Sequence, residues 1–334
     1  MNLRNTGRYT ATLAAALLLL AAMVACSSTG GKPAANGNGM TAGTANTPRK
    51  VVAMIAHWGP GVAFADLVRK GAETAAAKDN IELRVSTDPD APTQANYVQS
   101  AIDSHVDGIA VTLAKPDAMA SAVEAAVKAG IPVVALNSGF DAWKQMGISQ
   151  FFGQDESLAG QQAGQRLAKE GAKKTLCVVH EQGNVSLEAR CAGVKQGLGG
   201  GEIENLYDNG NDMPSVQSTI TAKLQSDPSI DHIMTLYSAI GMAAVSAKQT
   251  AGSKATIATF DTDAELVNAI KSGQVAWAVD QQPFLQGYLA VDALWLQMNN
   301  RNTIGGGKAV LTGPSFIDNT NIDAIADLAK QGTR

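Results

Sequence analysis

Residues 106–138, VDGIAVTLAKPDAMASAVEAAVKAGIPVVALNS, contain the clearest structural pattern in the chain. The sequence predicts a strand over Gly108–Leu113, a helix over Asp117–Ala129 and a second strand over Pro132–Leu136. Parallel strands need a connection of a dozen or more residues, and this connection is usually a helix. The stretch is therefore predicted to form one βαβ unit, with both strands in the same parallel sheet.

The same alternation of strands and helices runs along the chain from Lys50 onward. Val51–Ala56 is a continuous apolar run, as expected of a strand that is buried on both faces. Repeated βαβ units of this kind indicate an α/β fold with parallel sheets. The other predicted strands are Ile81–Ser86, Ile148–Phe152, Thr175–His180, Glu202–Tyr207, His232–Leu236, Thr256–Phe260 and Val275–Val279. The other predicted helices are Val62–Asp79, Thr93–Ser104, Ser157–Glu170, Leu187–Gly197, Pro214–Gln225, Ile240–Thr250, Asp263–Lys271 and Phe284–Asn299.

Two segments of equal length repeat this pattern, one from Asp107 to Asn137 and the other from Asp231 to Asp261. Each segment starts with an aspartate before a strand and ends with a polar residue after the next strand. The repeat predicts two similar α/β halves. Parallel sheets bind ligands at the carboxyl ends of their strands, so two halves that face one another would form a ligand cleft.

The composition fits a packed α/β protein of two domains. The chain has 334 residues, of which 45% are hydrophobic and 17% are charged, and it contains 3 Cys. These values exclude collagen, a disulfide-dense miniprotein and a generally disordered chain. The length allows two domains that each bury a core. The net charge of -4 argues against a nucleic-acid partner.

Residues 1–25 are interpreted as a signal peptide. Arg4 and Arg8 precede an apolar run that is too short to span a bilayer comfortably. The run ends in Met23-Val24-Ala25-Cys26, which resembles a bacterial lipobox and predicts that Cys26 is lipidated. The alternative is an ordinary cleaved signal followed by an incidental cysteine. Residues 26–49 are poor in large apolar side chains, so they are predicted to form a flexible tether that starts at the lipidated cysteine.

The two other cysteines, Cys177 and Cys191, form an even pair in an oxidising compartment. Cys177 lies in a predicted strand and Cys191 lies in the helix that follows. A disulfide between them would close a short loop and add about 2–4 kcal/mol of stability. Two buried free thiols remain the alternative, because the sequence does not fix the distance between the Cα atoms.

Local catalytic motifs are absent from the sequence. It contains no Walker loop, G-x-S-x-G, H-E-x-x-H or C-x-x-C motif. The glycines of the loop His57–Gly61 do not form a G-x-G-x-x-G motif, and Pro60 removes an N–H group. The four histidines are scattered without metal-ligand spacing. The sequence therefore predicts no metal and no cofactor, and it weakens the enzyme hypothesis without excluding convergence of distant residues.

Four strings are similar to those of a known family: VDGIAVTLAKPDAM (106–119), AGIPVVALNS (129–138), NVSLEARCAGVKQGL (184–198) and FDTDAELVNAIKSGQV (260–275). Together with the lipobox and tether, they resemble the solute-binding lipoproteins of ABC sugar importers, the ribose-binding-protein-like class with a type I periplasmic binding protein fold. The resemblance covers residues 50–334. It implies two Rossmann-like, doubly wound parallel-sheet lobes joined by three hinge crossovers, with the ligand in the interlobe cleft. The expected N-terminal lobe is 50–154 plus 283–311, and the expected C-terminal lobe is 155–282 plus 312–334.

The function implied by the resemblance is reversible capture of a small sugar or polyol outside the cytoplasm. A lipid-anchored monomer would deliver this solute to an ABC permease in the membrane, with no catalysis. A furanone-type signal or a nucleoside is the alternative ligand. A lipid-anchored hydrolase on the same lobes is the alternative from another class. A repressor core shares the architecture, but the export signal and the missing helix-turn-helix argue against it.

The resemblance also implies ligand contacts in the first half of the chain. Phe64 matches the aromatic position that usually covers a sugar face, and Trp58 lies nearby in a glycine- and proline-containing loop. His57 and Asp66 are polar candidates for the rim of the cleft. The alternatives are a helix-packing role for Phe64 and a solvated helix face for Asp66.

Asn137 and Ser138 stand where the family commonly has a carboxylate followed by a basic or polar residue. Asn both donates and accepts hydrogen bonds, so the pattern departs from that of a ribose site. Arg190 matches the family's cleft arginine in one alignment, and Glu188 matches it in another. A guanidinium can grip two neighbouring hydroxyls, although Arg190 could instead brace its helix.

Further contacts are implied in the second half of the chain. Asn211 and Asp212 follow one predicted strand, and Tyr237 follows another. Asp261 stands at a strand end in the Phe-Asp pair typical of the family, and its carboxylate can accept two hydroxyl hydrogen bonds; the alternative is a role as a helix N-cap. Gln281 is expected at the third crossover, in contact with both ligand and hinge.

Overall fold

The computed structural model describes residues 44–334, and these residues form two six-stranded sheets. The first sheet contains β1 (Lys50–Ala56), β2 (Ile81–Thr87), β3 (Gly108–Val111), β4 (Val133–Asn137), β5 (Gln150–Gly153) and β11 (Val310–Leu311). Its strand order is β11-β5-β4-β3-β1-β2. The second sheet contains β6 (Lys174–Val179), β7 (Glu202–Tyr207), β8 (His232–Thr235), β9 (Thr256–Phe260), β10 (Trp277–Asp280) and β12 (Ser315–Asp318). Its strand order is β12-β10-β9-β8-β6-β7.

Helices connect the strands and cover both faces of each sheet, and each sheet with its helices is called a lobe below. The first lobe has α1 (Ala63–Asp79), α2 (Ala91–Asp103), α3 (Pro116–Lys128) and α9 (Pro283–Asn300). The second lobe has α4 (Glu156–Glu170), α5 (Val185–Leu198), α6 (Met213–Ser226), α7 (Ser238–Ala251), α8 (Ala264–Lys271) and α10 (Asp323–Lys330). The predicted architecture of two doubly wound α/β lobes is therefore confirmed.

The sheets differ from the prediction at one edge. Strand β12 runs antiparallel to β10, with Ser315 opposite Asp280 and Asp318 opposite Trp277. The chain enters the second lobe from β11, beside the carboxyl end of β10, and so β12 has to run away from that end. The sequence prediction contained neither β11 nor β12, nor helix α10.

The chain passes between the lobes three times, near Gln154, near Gln281 and near Thr312. All three side chains are buried. The crossovers are bonded to one another: Thr312 N–H donates to Gly153 O at 2.7 Å, and Gln282 Nε2 donates to Thr312 O at 2.7 Å. Gln281 lies at the second crossover along the chain rather than at the third, where it was expected.

Apolar side chains fill both faces of the first sheet. Ile109 and Val111 point toward one cluster, whereas Met54 and Val134 lie in the opposite one, as the period of two along a strand requires. Helices α1 and α9 pack closely over the second of these faces. A Cβ atom at Gly287 would lie 1.9 Å from Val68 O, so the helices could not approach this closely with a larger residue there.

The predicted disulfide joins Cys177 in β6 to Cys191 in α5, with a Cα–Cα distance of 6.1 Å. Both cysteines lie in the apolar cluster between the second sheet and helices α4 and α5. The bridge therefore ties α5 to the sheet beneath it. The alternative of two free thiols is not what the structure contains.

The predicted signal peptide over residues 1–25, Cys26 and most of the predicted tether lie outside the described residues. The described end of that tether contacts the first lobe: Ala45 N–H donates to Lys78 O at 2.7 Å, and Trp295 Nε1 donates to Thr47 Oγ1 at 3.2 Å. The ordered body thus begins a few residues before β1. Within residues 44–334, no helix has the length and apolar character needed to span a bilayer.

Candidate ligand-binding site

A cleft of about 500 Å³ lies between the lobes, at the carboxyl ends of the strands of both sheets. Parallel α/β sheets place their ligand sites at this position. Nine of the residues predicted to bind ligand line this cleft: His57, Trp58, Phe64, Asn137, Arg190, Asn211, Tyr237, Asp261 and Gln281. The volume is within the range of small-molecule sites.

The floor of the cleft is a chain of hydrogen bonds at the hinge. Asn137 Nδ2 donates to Gln281 Oε1 at 3.2 Å, and Gln281 Nε2 donates to Asp261 Oδ1 at 2.8 Å. All three side chains are buried. Gln286 Nε2 supports the chain from helix α9, since it donates to Gln281 Oε1 at 3.0 Å. The amide of Gln281 thus links one polar residue from each lobe.

Asn137 and Asp261 occupy equivalent positions in the internal repeat. Asn137 is the last residue of β4 and Asp261 directly follows β9, and both have the left-handed backbone conformation, with φ angles of 63° and 64°. Asn and Asp tolerate this conformation better than other residues with a side chain do. The sharp turn after each strand directs the chain away from the sheet and leaves the two polar side chains at the cleft.

The carboxyl group of Asp261 is held in an unusual environment. Burial raises its pKa to about 7, although the charge of Arg190 and the hydrogen bond from Gln281 oppose this shift. The neighbouring Asp263 caps α8, because its Oδ1 accepts from Glu265 N–H at 2.9 Å and from Leu266 N–H at 2.8 Å. The side chain of Asp261 is therefore not needed as a helix cap.

Arg190 is engaged by other protein groups. Its Nε and Nη2 atoms donate to Glu156 Oε2 and Oε1 at 2.6 and 2.9 Å, and Nη1 donates to Leu236 O at 3.0 Å. The guanidinium also lies 4.5 Å above the ring of Phe260. This geometry favours the bracing role over a free two-pronged grip on a ligand, although Arg190 still forms part of the cleft wall.

The first lobe supplies an aromatic wall. The rings of Trp58 and Phe64 meet edge to face with centroids 5.6 Å apart. His57 lies next to them and its Nδ1 atom is 2.8 Å from Thr112 Oγ1. Burial lowers the pKa of His57 to about 4, so its imidazole is neutral at ordinary pH. The wall is therefore uncharged and suited to the C–H face of a polyol.

The second lobe adds polar groups that the sequence analysis did not single out for ligand binding. His180, Glu181, Asn184 and Asp208 all line the cleft. His180 Nδ1 and Asp208 Oδ2 are buried and find no hydrogen-bond partner among residues 44–334. Burial also lowers the pKa of His180 to about 4, which keeps the ring neutral. The residues line the cleft, but these two atoms are themselves shielded from solvent.

Four of the predicted ligand residues do not line this cleft. Asp66 is exposed on α1, and Asp212 caps α6, since its Oδ1 accepts from Ser215 N–H at 3.1 Å. Glu188 accepts from Tyr207 Oη at 3.0 Å. Ser138 is buried, and its Oγ lies 2.6 Å from Ser186 Oγ of the opposite lobe. Between Arg190 and Glu188, only Arg190 faces the cleft.

The chain belongs to the periplasmic binding protein domain family, whose model matches residues 52–302. This assignment agrees with the two-lobed fold and with a cleft at the strand ends. It also agrees with the resemblance noted from the sequence motifs.

Solved and curated proteins give the same assignment. A carbohydrate transporter from Acidothermus cellulolyticus 11B, solved in complex with myo-inositol, is 52% identical, covers 86% of this chain and 100% of its own, and has a TM-score of 0.85. The xylose/arabinose-binding protein XylF of Sulfolobus acidocaldarius is 27% identical over 73% of this chain. A D-ribose/D-allose-binding protein of Pseudomonas aeruginosa is 26% identical over 59% of this chain. The matches span 64% and 65% of the lengths of these two relatives.

Proposed function

We propose that this chain is the extracytoplasmic substrate-binding component of an ABC importer, and that its solute is an uncharged cyclic polyol of the myo-inositol type. The observation that carries the proposal is the Asn137–Gln281–Asp261 chain on the floor of the interlobe cleft. A solute seated on this floor bonds to groups of both lobes at once. Because only contacts made in the closed state favour closure, such bridging couples binding to closure.

The chemistry of the cleft supports a solute rich in hydroxyl donors. The carboxylate of Asp261 accepts hydrogen bonds, and the Asn137 amide both donates and accepts. His57 and His180 are neutral. The two cations of the cleft lining are already paired, Lys115 with Glu181 at 3.3 Å and Arg190 with Glu156, so the lining offers no unpaired cluster of positive charge for a phosphate or a sulfate. The aromatic wall of Trp58 and Phe64 suits the apolar face of a ring. The myo-inositol complex of the 52% identical transporter supports the choice of a cyclitol over a pentose.

The test is a calorimetric titration of the chain with myo-inositol, D-ribose and D-xylose. We expect myo-inositol to bind most tightly, and Asp261→Ala to abolish binding while leaving the thermal unfolding cooperative. Asp327→Ala, on a side chain that is 86% exposed, is the matched control and should retain full affinity. Tight binding of D-ribose without binding of myo-inositol would overturn the cyclitol assignment, and unaltered affinity in Asp261→Ala would overturn the site.

Delivery to a membrane permease fits a protein held at the membrane surface. The proposal therefore includes lipidation of Cys26, a monomeric state, and no catalysis, cofactor or metal. Cys26→Ala should move the chain from the membrane fraction to the soluble fraction. Mass spectrometry of a bound solute should recover it chemically unchanged, whereas a hydrolysed product would favour the alternative of a lipid-anchored hydrolase.

A further inference from the structure

Helix α1 of the first lobe begins without a cap of its own. Its N-cap residue is Val62, which has no side-chain hydrogen bond to offer. The first N–H groups of a helix need partners from outside the helix. The Ala63 N–H finds its partner across the cleft, since it donates to Tyr237 Oη at 3.1 Å. Tyr237 belongs to the second lobe, where it directly precedes α7.

The side chain of Tyr237 is in contact with both lobes. It packs against the apolar cluster beneath α7 in the second lobe, and also against the first-lobe cluster that contains Phe64. Burial raises the pKa of its hydroxyl to about 12, so the group keeps its proton throughout the physiological range. A hinge movement that opened the cleft would separate Tyr237 from α1 and return the Ala63 N–H to water.

We propose, on the basis of the proposed binding function, that the Tyr237 hydroxyl is a closure latch that caps helix α1 from the opposite lobe. The contact joins protein to protein, so it stabilises the closed state whichever solute lies in the cleft. The hydroxyl is thus a positioning group that sets the overall affinity, and stereochemical selectivity stays with the floor residues.

Two other interlobe hydrogen bonds also stabilise the closed arrangement of the lobes. Val185 N–H donates to Ala114 O at 3.0 Å, and Ser138 Oγ lies 2.6 Å from Ser186 Oγ. Each joins the first lobe to the start of α5. They share no residue with the Tyr237 contact but form in the same closed arrangement, and the Val185 amide therefore serves as a second reporter of closure.

The decisive experiment is a double-mutant cycle on the two bonded groups. Tyr237→Phe removes the acceptor, and Ala63→Pro removes the donor itself. Proline is well tolerated at the first position of a helix, and Val62 has the extended backbone (φ -79°, ψ 108°) that a residue before proline needs. Tyr97→Phe is the matched control. This tyrosine belongs to α2, packs against the core of the first lobe and does not line the cleft.

The quantity to be measured is the dissociation constant for myo-inositol, obtained by calorimetric titration of each variant. Tyr237→Phe should raise the dissociation constant about three- to tenfold, as the loss of one net hydrogen bond predicts, and Tyr97→Phe should not change it. In the Ala63→Pro background, the effect of Tyr237→Phe should largely disappear. If Tyr237→Phe has the same effect in both backgrounds, or has none in the wild-type background, the latch is overturned.

Hydrogen exchange without added solute separates this proposal from the proposed function. If the wild-type chain binds no myo-inositol, the cyclitol assignment fails, and the latch is then judged by the exchange of the Ala63 and Val185 amides. Tyr237→Phe should accelerate both amides together while core amides of β8 keep their protection. Wild-type exchange rates at both amides would overturn the latch.

Discussion

Arg190 and Glu156 form a two-pronged ion pair inside the second lobe. The Nε and Nη2 atoms of Arg190 donate to the two carboxylate oxygens of Glu156 at 2.6 and 2.9 Å, and the two side chains are 4% and 3% exposed. The pair joins the start of α4 to the middle of α5. Helix α5 contributes Ser186, Leu187 and Arg190 to the wall of the cleft, so the ion pair fixes the wall on which a solute rests.

Glu156→Gln should destabilise the protein strongly. The substitution leaves the buried Arg190 charge without its hydrogen-bonded counterion, and breaking a buried pair in this way typically costs about 3–5 kcal/mol of unfolding free energy. Denaturant unfolding followed by circular dichroism measures the loss. The control is Glu73→Gln, because Glu73 pairs with Arg69 on the surface with both side chains more than half exposed, and such pairs contribute little. Equal stability of the two variants would contradict the bracing role of the pair.

The affinity for myo-inositol should depend on pH around neutrality. Burial raises the pKa of Asp261 to about 7, and hydroxyl groups donate best to its ionised form. The dissociation constant should therefore be lowest at pH 8 and should rise about tenfold per unit once the pH is well below 7. His57 and His180, with pKa values near 4, remain neutral over this range. Asp261→Asn should show no such dependence, and a flat wild-type profile from pH 8 to pH 5.5 would contradict the assignment.

Asp261→Asn should also make the fold more stable. A buried carboxyl whose pKa is raised binds more protons in the folded state than in the unfolded state, so stability falls as the pH rises from about 4 to about 7. Asparagine carries no charge and escapes this loss. The gain in melting temperature should therefore be larger at pH 8 than at pH 5. A variant that melts below the wild type at pH 8 would show that Asp261 stabilises the fold.

The floor of the cleft can be predicted from the sequence because two simple rules coincide. Apolar runs locate the ends of the strands, and parallel sheets bind ligands at those ends. The rules identify Asn137 and Asp261. The same rules also point to His180 after β6 and to Asp208 after β7.

Other features depend on tertiary packing that the sequence does not display. Glu156 and Arg190 are 34 residues apart, and their pairing depends on which faces of α4 and α5 meet. The roles of Ser138 and Tyr237 depend on contact between the lobes. Strand β11 has two residues, too few for any periodic pattern, and β12 follows almost directly in the other sheet.

Loss of the disulfide should lower the unfolding free energy. The Cys177–Cys191 bridge closes a loop between residues 14 positions apart, and a bridge of this kind contributes about 2–4 kcal/mol. Urea unfolding of the double variant Cys177→Ala, Cys191→Ala measures the loss. Addition of a reductant should destabilise the wild type by a similar amount and leave the double variant unchanged. A wild type that is insensitive to reductant while its thiols react freely would contradict the prediction.

Solute binding should be visible in the fluorescence of one tryptophan. Among the four tryptophans, Trp58 alone lines the cleft, and its ring meets that of Phe64 edge to face. A bound polyol replaces water beside this indole, so myo-inositol should change the emission of the wild type. Trp58→Phe should lose this change, whereas Trp295→Phe, whose indole nitrogen bonds Thr47 away from the cleft, should retain it. If the signal instead disappeared in Trp295→Phe and persisted in Trp58→Phe, the solute would have to lie elsewhere, because an indole responds mainly to its immediate surroundings.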